Sequence, residues 1–356
     1  MTAPAGLAAF ALVLLSCGGG TSDTTGPFKT AAHVSLPRMP SHGGAQLRNL
    51  QLVTVTFRGY PFRAFVESFG DFVVHSQWLA AATQDYGPVT ATHLGKVVLD
   101  SPPGGASSDL AAVLRSNIDS GTLPFPSDPA GLLYLVYAPP PCPGGGYHGS
   151  FEHSGKTVAF AVALDCEDGL GAEGVMTHEI AEAASDPFFS GFFFDAAQSP
   201  WIGETGDICN LSPPSLEGGY QFLGIWSNAA AASGGSPCVP YTAGPYFNVS
   251  PSPATPQTVD AGSSVTFTLT GWSTEPMPGG WPLGAFPDSY APQDFDPRPV
   301  FSRTTINNGA QVTLTLHVPA NAPSGAEATV RVTSGNIEVG GVRGFSNDWS
   351  LQVRVR

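Results

Sequence analysis

The chain has 356 residues, long enough for two domains, and 42% of them are apolar, enough to bury a substantial core. Only 12% are charged, and 28 acids stand against 14 bases for a formal charge of −14. That balance argues against nucleic acid or an anionic membrane surface as a partner and is compatible with cation binding. Gly (43) and Pro (34) are abundant without a collagen period, the mark of a turn-rich exported protein.

In chain order, Gly6 to Ser16 is apolar but too short to span a bilayer, and it ends in Leu14-Leu15-Ser16-Cys17 before three glycines. This order resembles a bacterial lipobox. It implies an exported chain, residues 1–17 acting as a signal peptide and Cys17 carrying a lipid anchor at the outer membrane or cell surface. Residues 18–45 are rich in Gly, Ser, Thr and Pro and read as a flexible tether. Leu52 to Phe57 alternates as a strand, Phe65 to Ala82 has mainly helical spacing, and Lys96 to Leu99 is a short strand. Asp109 precedes Leu110, Val113, Leu114 and Ile118, a capped helix that Gly121 stops. Leu132 to Tyr137 and Thr157 to Leu164 read as buried strands, with a Gly-rich loop between them that carries Tyr147, His148 and His153. Gly174 to Ser185 is strongly helical and is halted by Asp186-Pro187. From Tyr246 onward helical patterns vanish, and period-two runs at Ser264 to Leu269, Gln311 to His317, Ala328 to Thr333 and Ser350 to Arg356 imply a sandwich. The aromatic segment 276–299 reads as an insertion on the sandwich edge, with loop packing favoured over carbohydrate stacking. Four cysteines remain in the exported part, and proximity in sequence pairs Cys142 with Cys166 and Cys209 with Cys238.

The run Thr177-His178-Glu179-Ile180-Ala181-Glu182 carries the chemistry. On a helix His178 and Glu182 lie one turn apart on one face, where both can close on a single ion. Glu179 projects beside them, able to reach a water on that ion. The apolar flanks (Met176, Ile180, Ala183, Ala184) bury the helix, and charges on a buried helix need partners. Two downstream groups compete to supply the third ligand. One is Asp186, eight residues after His178. The other is Glu204, three residues before Asp207 and close to Cys209.

The motif resembles the HExxH helix of zinc peptidases, with Glu182 in place of the second histidine. The resemblance implies that the α+β domain over 46–243 is zincin-like; the strand runs after it imply an immunoglobulin-like sandwich over 246–356. The resemblance also implies Zn2+, or another divalent cation, held by His178, Glu182 and Glu204. Asp207 would orient a ligand and Glu179 would act as general base, while the Gly-rich loop read above would present His148 or Tyr147 to an oxyanion. The wider pattern, with GVMTHEIAEAASDP followed by GETGDIC and WSNA, is similar to bacterial relatives of the secreted EXORDIUM (phosphate-induced) proteins, which supports export and leaves catalysis open. Two functions follow. The first is an anchored metallohydrolase acting on an extracellular peptide or protein. The second is a non-catalytic adhesion or glycan-binding lipoprotein with a structural metal. No GxSxG elbow supports a serine nucleophile, and the cysteines of the exported part read as paired.

Overall fold

The structure is a computed structural model. It describes residues 27–356 apart from 88, 101, 103, 106–107, 139–143, 165–168, 196–200, 241–243, 289–290, 292, 336–337, 340–341 and 344–345. Cys17 and the expected Cys142–Cys166 pair lie outside the described residues.

Runs of Val, Leu and Phe that are apolar on both sides pair best inside a sheet covered by helices on both faces. The first half follows this rule. Its elements are β1 (Asn49–Phe57), α1 (Arg63–Val73), α2 (Gln77–Thr83), β2 (Thr90–Leu99), α3 (Leu110–Asp119), β3 (Leu132–Tyr137), β4 (Gly146–His153), β5 (Lys156–Ala163) and α4 (Gly169–Ser185). The five strands form one sheet of order β2-β1-β3-β5-β4, in which β4 alone runs antiparallel to its neighbour. Leu52, Leu133, Leu135 and Ala161 pack under α1, α2 and α4. Val53, Val55, Val136 and Val162 pack under α3 on the other face.

The run expected as one helix over 65–82 is two helices. The chain breaks at Val74 to Ser76, and the Ser76 hydroxyl caps α2 by accepting the Leu79 N–H. The short strand expected at Lys96 extends back to Thr90. The loop expected around His148 is in large part the edge strand β4, whose glycines hide its alternation.

The next stretch consists of short paired strands. β6 (Phe193–Phe194) pairs with β7 (Gly203–Glu204), β8 (Ser215–Glu217) with β9 (Tyr220–Phe222), and β10 (Ile225–Trp226) with β11 (Cys238–Val239); α5 (Asn228–Ser233) lies between the last two. A disulfide joins Cys209 to Cys238, the pairing expected from sequence.

The remainder is all strand. In order these are β12 (Phe247–Ser252), β13 (Gln257–Val259), β14 (Ser264–Ser273), β15 (Trp281–Pro287), β16 (Arg298–Phe301), β17 (Thr305–Ile306), β18 (Gln311–His317), β19 (Glu327–Gly335), β20 (Glu338–Val339), β21 (Val342–Arg343) and β22 (Ser346–Val355). Two sheets, β12-β14-β18-β16 and β13-β22-β19-β15-β17, share one core. Phe267, Leu269, Leu314 and Leu316 from the first meet Val330, Val332, Leu351 and Val353 from the second. Part of the expected edge insertion is the core strand β15, and its Trp281 is buried.

The expected fold class is corrected by this architecture. The described residues form five α-helices against twenty-two strands, so the molecule is mainly β-sheet and its first half is not a zincin-like α+β domain. The helix-bearing half is itself a layered sheet with parallel crossovers, and the segment read as its remainder consists of strand pairs too short to show a period in sequence.

A second correction concerns residues 27–45, expected as part of a loose tether. They form a strap fixed to both halves. Ala31 N–H donates to Asn308 Oδ1 (2.9 Å) and Val34 N–H to Ser250 Oγ (2.9 Å), and the His33 ring stacks on Trp272 at 3.7 Å. Farther on, Met39 N–H donates to Asn228 Oδ1 (2.7 Å) and Gly44 N–H to the Ser190 carbonyl (2.7 Å). The halves also touch directly. Ser346 N–H donates to the Leu211 carbonyl (2.9 Å), and Trp201 meets Trp349 edge to face at 5.5 Å.

Candidate metal centre

Helix α4 is buried almost all round, so each polar group on it needs a partner. Thr177 donates its hydroxyl to the Gly174 carbonyl and accepts the Leu223 N–H. His178 and Glu182, one turn apart as expected, meet at 3.0 Å between Nε2 and Oε1. Glu182 Oε1 also accepts the N–H groups of Gly206 and Asp207, each at 3.2 Å. No hydrogen bond reaches the Glu179 carboxylate among the described residues, although the side chain is only 4% exposed.

The second contributor is the loop 203–209. Pairing of β7 with β6, the Cys209–Cys238 disulfide and a bond from Trp226 N–H to the Thr205 carbonyl (2.8 Å) fix its path. Asp207 Oδ2 accepts the Glu204 N–H (3.0 Å), leaving Oδ1 3.5 Å from His178 Nε2. Gly206 lies flat against the imidazole, where an added Cβ would stand 2.8 Å from ring atoms.

The third is the edge strand β4. His148 pairs in register with Ala161 and turns toward α4, and its Nε2 lies 3.1 Å from both oxygens of Glu204. Gly146 lets α4 approach, since a Cβ there would meet Val175 at 2.4 Å and Glu179 Oε1 at 2.8 Å. These groups line one cavity of about 380 Å³, with Tyr147, Val175, Phe189 and Leu223 as apolar walls. Phe189 stacks on His148 at 4.8 Å, is 59% exposed and holds a left-handed φ of 55°.

Two groups of potential ligand atoms lie within 4.8 Å of one another, His148 with Glu182 and Glu204, and His178 with Glu179 and Glu182. Burial pushes the Glu179 carboxyl up to about 8 against the opposing pull of His178. Burial likewise pushes Glu204 up to about 7, with His148 opposing. Burial alone would depress the His178 imidazole, but Glu182 and Asp207 outweigh it and hold it well above the ordinary histidine value. His148 is raised in the same way, with Glu204 overcoming burial. Asp207 is held below the ordinary range because its hydrogen bond and ion pair with His178 overcome burial.

The structure therefore gathers His148, His178, Glu179, Glu182, Glu204 and Asp207. It does not gather Asp186. That carboxylate turns back on its own loop, where Oδ1 accepts the N–H groups of Ser190 and Gly191 at 2.6 Å each. His153 sits at the far end of β4, against Phe125 and 3.8 Å from Asp119. Sequence reading placed His148 as an oxyanion donor and did not foresee its contact with Glu204. The signal was present in the alternation of Gly146, His148 and Ser150, which marks one face of a strand.

No family model matches the chain, and no curated protein matches it. Among solved structures it is similar to domains 4 and 5 of the S-layer protein SbsC, with 15% identity over 32% of this chain and 54% of that one and a TM-score of 0.22. A longer SbsC structure gives 16% identity over 33% of this chain and 14% of that one, with a TM-score of 0.23. A family 123 glycoside hydrolase from Clostridium perfringens gives 9% identity over 28% and 22%, with a TM-score of 0.19. The chain thus spans about half of the first structure and a small part of the others. The described residues contain no helix long and apolar enough to cross a membrane.

Proposed function

We propose that the protein is an exported, metal-dependent hydrolase whose substrate is a peptide or protein. One observation carries this reading. Two imidazoles and three carboxylates line one cavity in two sets with contacts of 3.0–3.5 Å, beside a fourth carboxylate that no hydrogen bond reaches among the described residues. Buried carboxylates in excess of cations are costly, and a divalent cation removes that cost. The mixed histidine and carboxylate set suits zinc and also harder ions such as manganese.

A bound dication supplies Lewis acidity toward a carbonyl oxygen. Ligation falls to His178 and Glu182 on α4, completed from the 204–207 loop. Glu179 is free to accept a proton from an attacking water and to return it to the leaving amine. Tyr147, Val175, Phe189 and Leu223 give the cavity apolar walls beside the reacting groups. Export rests on the apolar segment ending at Cys17, with lipid anchoring at that cysteine. The test is hydrolysis of a peptide library by the purified chain, with and without chelator. Chelator-sensitive cleavage supports the reading. Metal bound without cleavage favours the structural-metal alternative.

A further inference from the structure

We propose that the cavity holds two divalent cations bridged by Glu182, one on His178 and Asp207 and the other on His148 and Glu204. This rests on the metal-dependent reading above and extends it from one ion to two.

The donors fall into two groups. His178 Nε2 has Glu182 Oε1 at 3.0 Å and Asp207 Oδ1 at 3.5 Å. His148 Nε2 has both Glu204 oxygens at 3.1 Å. Each spacing is that of neighbouring ligands around one small cation, with α4 supplying the histidine of one group and β4 that of the other. Glu182 is the side chain common to both clusters of potential ligand atoms. Its Oε1 is occupied by His178 and the Gly206 and Asp207 N–H groups, while no hydrogen bond reaches its second oxygen among the described residues. A carboxylate with one oxygen on each side is the usual bridge in sites whose ions stand about 3.5–4 Å apart.

Charge balance points the same way. An imidazole that binds a metal is neutral. With both histidines neutral, Glu179, Glu182, Glu204 and Asp207 carry up to four negative charges in a buried cavity. Two dications neutralise that charge. Arg331 does not fill the gap, because Asp288 (2.9 Å) and Asp348 (3.4 Å) already hold it. Glu179 groups with His178 and Glu182, no hydrogen bond reaches its carboxylate among the described residues, and it faces the same cavity, where a water on the ions would give it a partner.

The experiment uses the full chain, stripped of metal and dialysed against zinc or manganese. Ion content is read by mass spectrometry, and the manganese form by electron paramagnetic resonance. We expect two ions per chain and a spin-coupled manganese signal. His148→Ala, or Glu204→Gln if that variant does not fold, should retain one ion and show an isolated manganese spectrum. One ion in the wild type overturns this proposal and leaves the single-ion reading standing. Two ions with uncoupled spectra overturn the bridge, and no stoichiometric ion overturns both readings.

Discussion

Glu179 stands next to His178 on α4 yet takes no part in the bonds that tie His178, Glu182 and Asp207 together. Its replacement by Gln removes a base without removing a ligand. Glu179→Gln should keep the bound metal and the fold while lowering peptide hydrolysis roughly a hundredfold or more, the scale for a lost general base. Kinetics and metal content on the same sample check this, and loss of metal would make Glu179 a ligand. Two glycines are tested by their missing side chains. Gly206→Ala brings a methyl against the His178 ring, and Gly146→Ala brings one against Val175 and Glu179. Both should weaken metal affinity at least tenfold by isothermal titration, with Gly206→Ala acting through His178. Unchanged affinity in both would mean that the loop and β4 yield more easily than their packing implies.

The helix α4 and the buried strands were legible because their signals are local. His178 and Glu182 are four apart, and Leu132 to Tyr137 is an unbroken apolar run. The strand character of β4 was hidden by Gly146 and Gly149, which the close approach of α4 and of the Phe160 ring requires. Pairs such as β6 with β7 are two residues long, so no periodicity could announce them. The placement of Asp207 beside His178 and of His148 beside Glu204 is tertiary, and spacing alone left Asp186 open as a rival. The loop bearing Glu204 and Asp207 depends on its bridge to β11. Replacing Cys209 and Cys238 by Ser should cost about 2–4 kcal/mol of unfolding free energy, the usual cost of losing such a closed loop. Denaturant titration measures it, and the same variant should bind metal more weakly. A stable variant with wild-type affinity would show that β-pairing alone holds the loop.

At the scale of the molecule, the β-only half reads as part of the site's support. Its Ser346 and Trp349 contact the segment around Leu211 and Trp201, and Arg331 lies buried between Asp288 and Asp348 and lowers the proton affinity of Asp207. A chain ended before Phe247 should therefore lose metal affinity and melt at lower temperature. Burial pushes Asp348 up to about 6 from an ordinary value of 3.8, with Arg331 opposing. A carboxyl raised in the folded state gives stability that is complete below about pH 3.8 and is lost as pH climbs through about 6. Asp348→Asn should flatten that part of the stability curve, as followed by thermal melts from pH 4 to 7. An unaltered profile would assign the pH dependence elsewhere.

The central claim is that α4 carries a metal centre, and the metal content of the purified full chain after exhaustive dialysis tests it most directly, with His178→Ala measured alongside. The account predicts stoichiometric divalent metal in the wild type and the loss of at least one ion in a His178→Ala variant that remains folded by circular dichroism. A wild type without metal, or a folded His178→Ala chain that retains its full complement, would contradict it.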